Sequence, residues 1–193
     1  MEFEKISDIK PIGYLESCYR DKFGTPRQPG LSPKAWSQLR LRADLQPEQA
    51  LEGLESFSHV WLIFMFHQNK TARYHAKVHP PRLGGQSMGV FATRSPHRPN
   101  PIGLSLVELV RIEGDSLIFA GADLVDGTPI LDIKPYLPEV EAKPNARIGW
   151  LGQAEQVSIA VKFLPEAEAA LEEWQGRHLD KNIHDMIVDT LKL

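Results

Sequence analysis

The sequence predicts a mainly β protein of the α+β class: a single closed or nearly closed β-barrel of short strands with long loops, followed by C-terminal helices. Three observations predict it. About eight short segments are rich in β-branched, aromatic and alternating apolar residues, as strands of a small barrel are. The 15 prolines and 14 glycines gather largely between those segments, where turns are needed. Helical signals are concentrated after Pro165. At 193 residues, with 42% hydrophobic and 24% charged residues, the chain can bury one sizeable core. It therefore reads as one main domain over 1–164 and a helical extension, incomplete at its end, over 165–193.

The elements follow in chain order. Ile6 to Leu15 contains Pro11 and Gly13 and reads as an interrupted or edge strand. Residues 18–30, with two prolines, two glycines and three basic residues, form a long loop. Leu39 and Leu41 alternate with Arg40 and Arg42, a strand with a basic outer face. Pro47 and Glu48 open a short helix that Gly53 limits. Phe57 to Phe66 is the most apolar segment and reads as a strand buried on both faces. Asn69 to Gln86 is a basic loop. Val90 to Thr93 is short and β-branched, a strand signal.

Between Arg94 and Pro101 three prolines forbid regular structure, fix φ and bias the preceding residues towards extended backbone. Leu104–Ile112 and Ser116–Ala122 then make a hairpin across Glu-Gly-Asp. Asp123 to Pro129 is a turn-rich loop, Ile130–Ile133 a short strand, and Lys134–Ile148 a proline-containing flap. Val157, Ile159, Val161 and Phe163 alternate with more polar or smaller residues, the clearest half-buried strand pattern. A helix runs from Pro165 with Gly176 as its stop. Asp180 caps a last helix that gathers Ile183, Met186, Ile187 and Leu191 on one face, which needs a partner.

Charge is unevenly spread. Ser56 to Val107 holds no Asp or Glu and carries +6, leaving −9 for the rest of a chain whose net charge is −3. Five of the seven histidines lie in the same span. A positive centre in a mildly acidic protein favours a polyanion, a phosphorylated small molecule or a carboxylate. The longest apolar run, Val60 to Phe66, is too short to cross a membrane, and the N-terminus has no signal-peptide pattern, so the expectation is a cytoplasmic protein with no membrane partner. The single cysteine, Cys18, rules out an internal disulfide. His75 and His79 stand four apart, but Pro80-Pro81 follows and no third ligand is suitably spaced, so no metal is expected.

Arg27, Gln28, His67, Gln68, Arg94, His97, Arg98, Asp123 and Asp126 all fall in loops or at strand ends. Gathered at one end of a barrel, they form a polar mouth over an apolar wall of Phe64, Phe66 and Phe91. No Walker loop, Gly-x-Gly-x-x-Gly or Gly-x-Ser-x-Gly pattern is present. These residues imply a barrel that binds a nucleoside-like or anionic ligand, and they imply no more than that.

Long ordered motifs add to this. They are Pro-Arg-Gln-Pro-Gly from Pro26, Phe-Ser-His-Val-Trp from Phe57, Phe-His-Gln from Phe66 and Pro-Pro-Arg-Leu-Gly-Gly from Pro80. Phe-Ala-Thr-Arg-Ser-Pro-His-Arg-Pro-Asn-Pro-Ile-Gly-Leu-Ser from Phe91 and Asp-Leu-Val-Asp-Gly-Thr-Pro-Ile-Leu-Asp-Ile-Lys-Pro-Tyr from Asp123 complete the set. Over roughly residues 6 to 165 the chain resembles the TsaA/TrmO family of β-barrel tRNA methyltransferases. Bacterial members continue into a portion with an Asp-Pro-Arg-Pro-Ala-Tyr motif, before which this chain ends.

The resemblance implies methyl transfer from S-adenosylmethionine to N6 of threonylcarbamoyl-adenosine, beside the anticodon of threonine tRNA, by a homodimer. It implies cofactor contacts at Pro26, Arg27, Gln28, His67, Gln68, Arg94, Leu104, Asp126, Gly127, Thr128 and Pro129. Arg73, Lys77, Arg82 and Arg98 are then candidates for tRNA phosphates, and His67 and His97 for a general base. The other reading is a non-catalytic module that binds a nucleoside or S-adenosylmethionine in a regulatory role.

Overall fold

The computed structural model describes residues 8–69, 74–153, 160–177 and 183–191. Six antiparallel strands close into a barrel: β1 (Gly13–Ser17), β2 (Trp36–Leu41), β3 (His59–Met65), β6 (Ile102–Glu113), β7 (Ser116–Ala120) and β8 (Thr128–Pro135). Their order around the barrel is β1-β2-β7-β6-β3-β8, and β8 pairs back onto β1 through Gly13–Ile130 and Leu15–Thr128. Closure leaves no free sheet edge. Two short strands, β4 (Lys77–Val78) and β5 (Met88–Gly89), form a separate ribbon beside it.

Period-two alternation fills the interior. Leu15, Leu39, Val60, Leu62, Val107, Leu117, Phe119 and Ile130 are fully or almost fully buried there. Gly13 is required by a close approach: a Cβ on it would lie 2.3 Å from the Arg40 carbonyl oxygen. The β6–β7 hairpin turns at Gly114, whose φ of 60° suits glycine. The short helix α1 (Pro47–Ala50) begins with proline at its first position, as its sequence indicates.

Several expectations are corrected. β3 is buried on one face only. Val60, Leu62 and Phe64 enter the core, whereas Trp61 faces outward, where its indole N–H meets the Glu141 carboxylate and its ring packs edge-on against Tyr136. Val90–Ala92 is a 3-10 turn, not a strand. Thr93 N–H and its hydroxyl both donate to the Val90 carbonyl, and only Val90 of the three is buried. The strand expected over Val157–Phe163 falls partly outside the described residues, and residues 160–164 carry no strand pairing. With β8 bonded to both β3 and β1, the barrel has no edge left to take another strand.

A short helix α2 (Pro138–Glu141) lies in the flap after β8, and α3 (Pro165–Arg177) continues through Gly176. The last helix, α4 (Ile183–Leu191), touches the rest of the chain through polar and ring side chains, while Leu191 of its apolar face stays exposed. His184 packs on Phe163 and lies 3.7 Å from Glu168, Asp185 pairs with Lys34, and the buried Tyr19 hydroxyl lies close to Ser32 and Thr190. Its expected cap, Asp180, lies outside the described residues. No helix among the described residues is long and apolar enough to cross a membrane.

Candidate functional site

The strand registers bring six strand ends to one rim. Ser17 lies opposite Ser37, Trp36 opposite Ala120, Met65 opposite Ile102, and Leu15 opposite Thr128. The loops leaving this rim are the long segment after β1, residues 66–69, the proline-rich 93–101 and the β7–β8 loop. Backbone bonds fasten them to one another: Phe66 N–H to the Pro101 carbonyl, Gly30 N–H to Gly121, and Asp126 N–H to Tyr19, each 2.7 to 2.8 Å. A loop can be rigid without regular structure when its polar groups are satisfied in this way.

Between these loops lies a cleft of about 810 Å³. Pro26, Arg27, Gln28, His67, Gln68, Arg94, Leu104 and Thr128 all line it, as does His97. The sequence reading thus names residues from five separate segments that the fold brings together. Arg94 Nη1 donates to Gln28 Oε1 at 2.8 Å, and Gln28 Nε2 donates to the Arg27 carbonyl at 2.6 Å, so the two sides of the mouth are tied. Phe64 and Phe66 meet edge-to-face at 5.1 Å and form the apolar wall.

Of the remaining cofactor and tRNA candidates among the described residues, only Arg98 also borders the cleft. Asp126, Gly127 and Pro129 flank the cleft without lining it. Asp126 Oδ1 accepts the Ser17 N–H at 2.9 Å, Gly127 N–H donates to the Leu15 carbonyl, and Pro129 is buried in β8. Phe91 is 71% exposed and lies under the Arg98 guanidinium at 5.4 Å, so it is not part of the wall. Arg98 also donates to the Thr93 and Val90 carbonyls, at 2.9 and 3.3 Å, which braces the proline-rich loop from within. Lys77, in β4, and Arg82, in a 3-10 turn, are exposed and do not line the cleft. Arg73 lies outside the described residues.

The cleft also holds Ser105 and Gly103, which the sequence did not single out, beside the expected Asp123 and His97. Ser105 is buried on the inward face of β6, between Gly103 and Val107, and its hydroxyl donates to Asp123 Oδ1 at 2.5 Å. A polar residue at an inward position of an alternating strand is the signal that marks it. Loss of water by burial raises the Asp123 pKa above 3.8, partly offset by Ser105, its backbone and Arg94. Gly103 lies against Phe64, where a Cβ would meet the ring at 2.2 Å. His97 stacks edge-on against His75, and its Nδ1 is buried without a hydrogen-bond partner.

His67 stands on the rim, and partial desolvation lowers its pKa below 6.5. The lowered value keeps the imidazole neutral, hence able to accept a proton, to more acid pH than an ordinary histidine. In an NMR titration of the wild-type chain the His67 ring signal is expected to move with a midpoint below 6.5. A midpoint at or above that value would remove the apolar setting assigned to it. Among the described residues no group of three or more His, Cys, Asp or Glu is placed to hold a metal ion.

A closed antiparallel barrel with a loop-built cleft, an aromatic wall, a half-buried carboxyl and an arginine at its mouth has the form of a small-molecule-binding barrel suited to a nucleoside-sized, partly charged ligand. The comparisons narrow this class. The family model described as tRNA-methyltransferase O N-terminal domain matches residues 14–142, and the chain belongs to that family. It is 51% identical over 141 residues to the mouse tRNA (adenine(37)-N6)-methyltransferase, covering 72% of this chain and 33% of the mouse protein. It is 47% identical over 184 residues to the putative S-adenosylmethionine-dependent methyltransferase RcsF of Pseudomonas aeruginosa, covering 95% of this chain and 79% of that one. The crystal structure of TrmO from Pseudomonas aeruginosa superposes with a TM-score of 0.81 at 42% identity, over 97% of this chain and 82% of that chain. The chain spans about a third of the length of the mouse relative.

Proposed function

We propose that this chain transfers a methyl group from S-adenosylmethionine to N6 of threonylcarbamoyl-adenosine next to the anticodon of threonine tRNA. The observation that carries the reading is the convergence of Pro26, Arg27, Gln28, His67, Gln68, Arg94, Leu104 and Thr128 on one cleft. These are eight of the eleven positions the family resemblance picks out for the cofactor; Asp126, Gly127 and Pro129 flank the cleft. The residues fit such a group. The cleft, at about 810 Å³, is roomy enough for a small-molecule ligand. Its wall offers aromatic faces to a cation, and the half-buried Asp123 and the His97 Nδ1, without a hydrogen bond among the described residues, leave polar atoms for a ligand.

S-adenosylmethionine supplies an electrophilic methyl group carried on a sulfonium. The chain's own residues position and protect. Arg94 and Arg27 offer guanidinium groups to a carboxylate at the mouth. Thr128 lines the cleft and Asp126 flanks it with Oδ2 unbonded among the described residues, and these two are assigned to the ribose hydroxyls. Holding donor and acceptor in line lowers the barrier chiefly by removing translational and rotational freedom. The acceptor nitrogen is ureido-like and loses its proton readily, so a neutral His67, or His97, suffices as base.

Lys77 and Arg82, with Arg73, supply the positive field for tRNA phosphates, and Arg98 adds its charge while bracing the proline-rich loop. The working form is a homodimer in the cytoplasm. Ile102, Leu104 and Val110 are exposed along β6, and Leu104 also lines the cleft, which supports a subunit interface beside the cofactor. Residues 1–164 form the catalytic barrel and 165–193 the extension.

The test is a labelled-methyl transfer assay with S-adenosylmethionine and threonine tRNA carrying or lacking the threonylcarbamoyl group, read by nucleoside mass spectrometry. Methyl is expected on the modified adenosine alone. Cofactor binding without transfer, in this chain and in one extended at its C-terminus, would establish the non-catalytic binding module instead.

A further inference from the structure

One group in the cleft has no role in the chemistry above. Asp123 stands at the start of the β7–β8 loop between the buried Ala122 and Leu124, and its side chain lines the cleft. A carboxylate taken out of water needs partners to remain charged. Asp123 has one side-chain hydrogen bond, from Ser105 Oγ at 2.5 Å. It forms no ion pair among the described residues, and Arg94 acts on it only at longer range. Phe64, Phe66 and Leu124 border the same space and keep its dielectric low. The carboxyl is therefore fixed in direction by Ser105 and lacks a cation in contact with it.

We propose that Asp123 is the counter-charge for the cationic part of the methyl donor, so that the cleft prefers the positively charged sulfonium form to the neutral thioether left after transfer. This rests on the methyltransferase reading. S-adenosylmethionine carries an ammonium, a sulfonium and a carboxylate, a net single positive charge; S-adenosylhomocysteine keeps the ammonium and carboxylate and is neutral. Arg94 at the mouth serves a ligand carboxylate in either form. The sulfonium charge is what changes, and a desolvated carboxylate senses such a change strongly because little water lies between to screen it. Desolvation raises the Asp123 pKa, as expected of a carboxyl still lacking that partner. Once the sulfur is uncharged, the attraction disappears and release of the spent cofactor is favoured.

Equilibrium titration calorimetry on the full chain tests this without turnover. Asp123→Asn preserves shape and the Ser105 contact while removing charge; Asp123→Ser is the second variant, used if the first does not melt cooperatively. Affinity for S-adenosylmethionine is expected to fall at least about tenfold, and affinity for S-adenosylhomocysteine to change less than about threefold. Sinefungin, whose amine places a cation where the sulfonium would be, should follow the charged ligand. Equal losses for charged and neutral ligands, or no loss for either, would overturn the assignment. A wild-type chain that binds neither S-adenosylmethionine nor S-adenosylhomocysteine would overturn the methyltransferase reading, and this inference with it.

Discussion

Arg94→Ala is expected to lower kcat/KM for methyl transfer about a hundredfold, mostly through a higher KM for the methyl donor. Two losses combine. The guanidinium is the group at the mouth best suited to a carboxylate, and charge-assisted hydrogen bonds are each worth about 1.5–3 kcal/mol. Its Nη1 also holds Gln28 Oε1 at 2.8 Å, so the segment from Pro26 to Gln28 loses its tie to the facing loop. Stability should barely change, because Arg94 is exposed and surface contacts are worth little to folding. Arg94→Lys keeps the charge but not the planar fork, and should recover only part of the loss. Steady-state kinetics with varied donor, beside a thermal melt, separates the outcomes. An unchanged KM would leave Arg94 as a loop brace alone.

Much of the barrel was legible because its strands obey period two and its turns use glycine and Asp-Gly chemistry. The β6–β7 hairpin follows directly from Glu-Gly-Asp, with Gly114 at positive φ. What the pattern does not carry is which strands become neighbours. β8 pairs with β3 and β1, far away in sequence, and that closure decides two corrections. It turns one face of β3 outward, and it leaves no edge for a strand at residues 160–163. Val90 to Thr93 shows a different limit. Its β-branched content favours a strand, but Val90 N–H bonds the Ala76 carbonyl, and the chain turns there into the proline-rich loop.

The site divides along a similar line. Residue type and loop position were enough to collect Arg27, Gln28, His67, Gln68 and Arg94, because polar groups at the ends of adjacent strands must share a rim. Direction was not available, since the side chain of a loop residue points where local φ and ψ send it. Arg98 is the example: charge alone suggests a phosphate contact, whereas its Nη1 is bonded to two backbone carbonyls of its own loop. Asp123 was visible as a loop carboxylate, but its direction is fixed by a hydrogen bond from Ser105, which faces inward from β6.

The other large effect expected is from Gly103→Ala. The added methyl would lie 2.2 Å from the Phe64 ring, well inside van der Waals contact, and neither side is free to yield. Gly103 is held opposite Phe64 in the β3–β6 ladder, and the ring packs edge-on against Phe66. Overpacking of this kind costs about 1–3 kcal/mol, and the rigidity of a closed barrel puts this position near about 3. The ring can escape only into the cleft, so donor affinity should fall along with the melting temperature. A second change distinguishes this clash from a general intolerance of β6 to side chains. Phe64→Ala alone removes core packing at about 3–5 kcal/mol, but it also removes the atoms that the new methyl would strike. The double variant should then be no less stable than Phe64→Ala, giving a coupling of about 1–3 kcal/mol in a double-mutant cycle. Additive losses in chemical denaturation would mean that Gly103 is required by its backbone and not by the ring. The contact between Gly103 and the Phe64 ring in the apolar wall would then carry none of the cost.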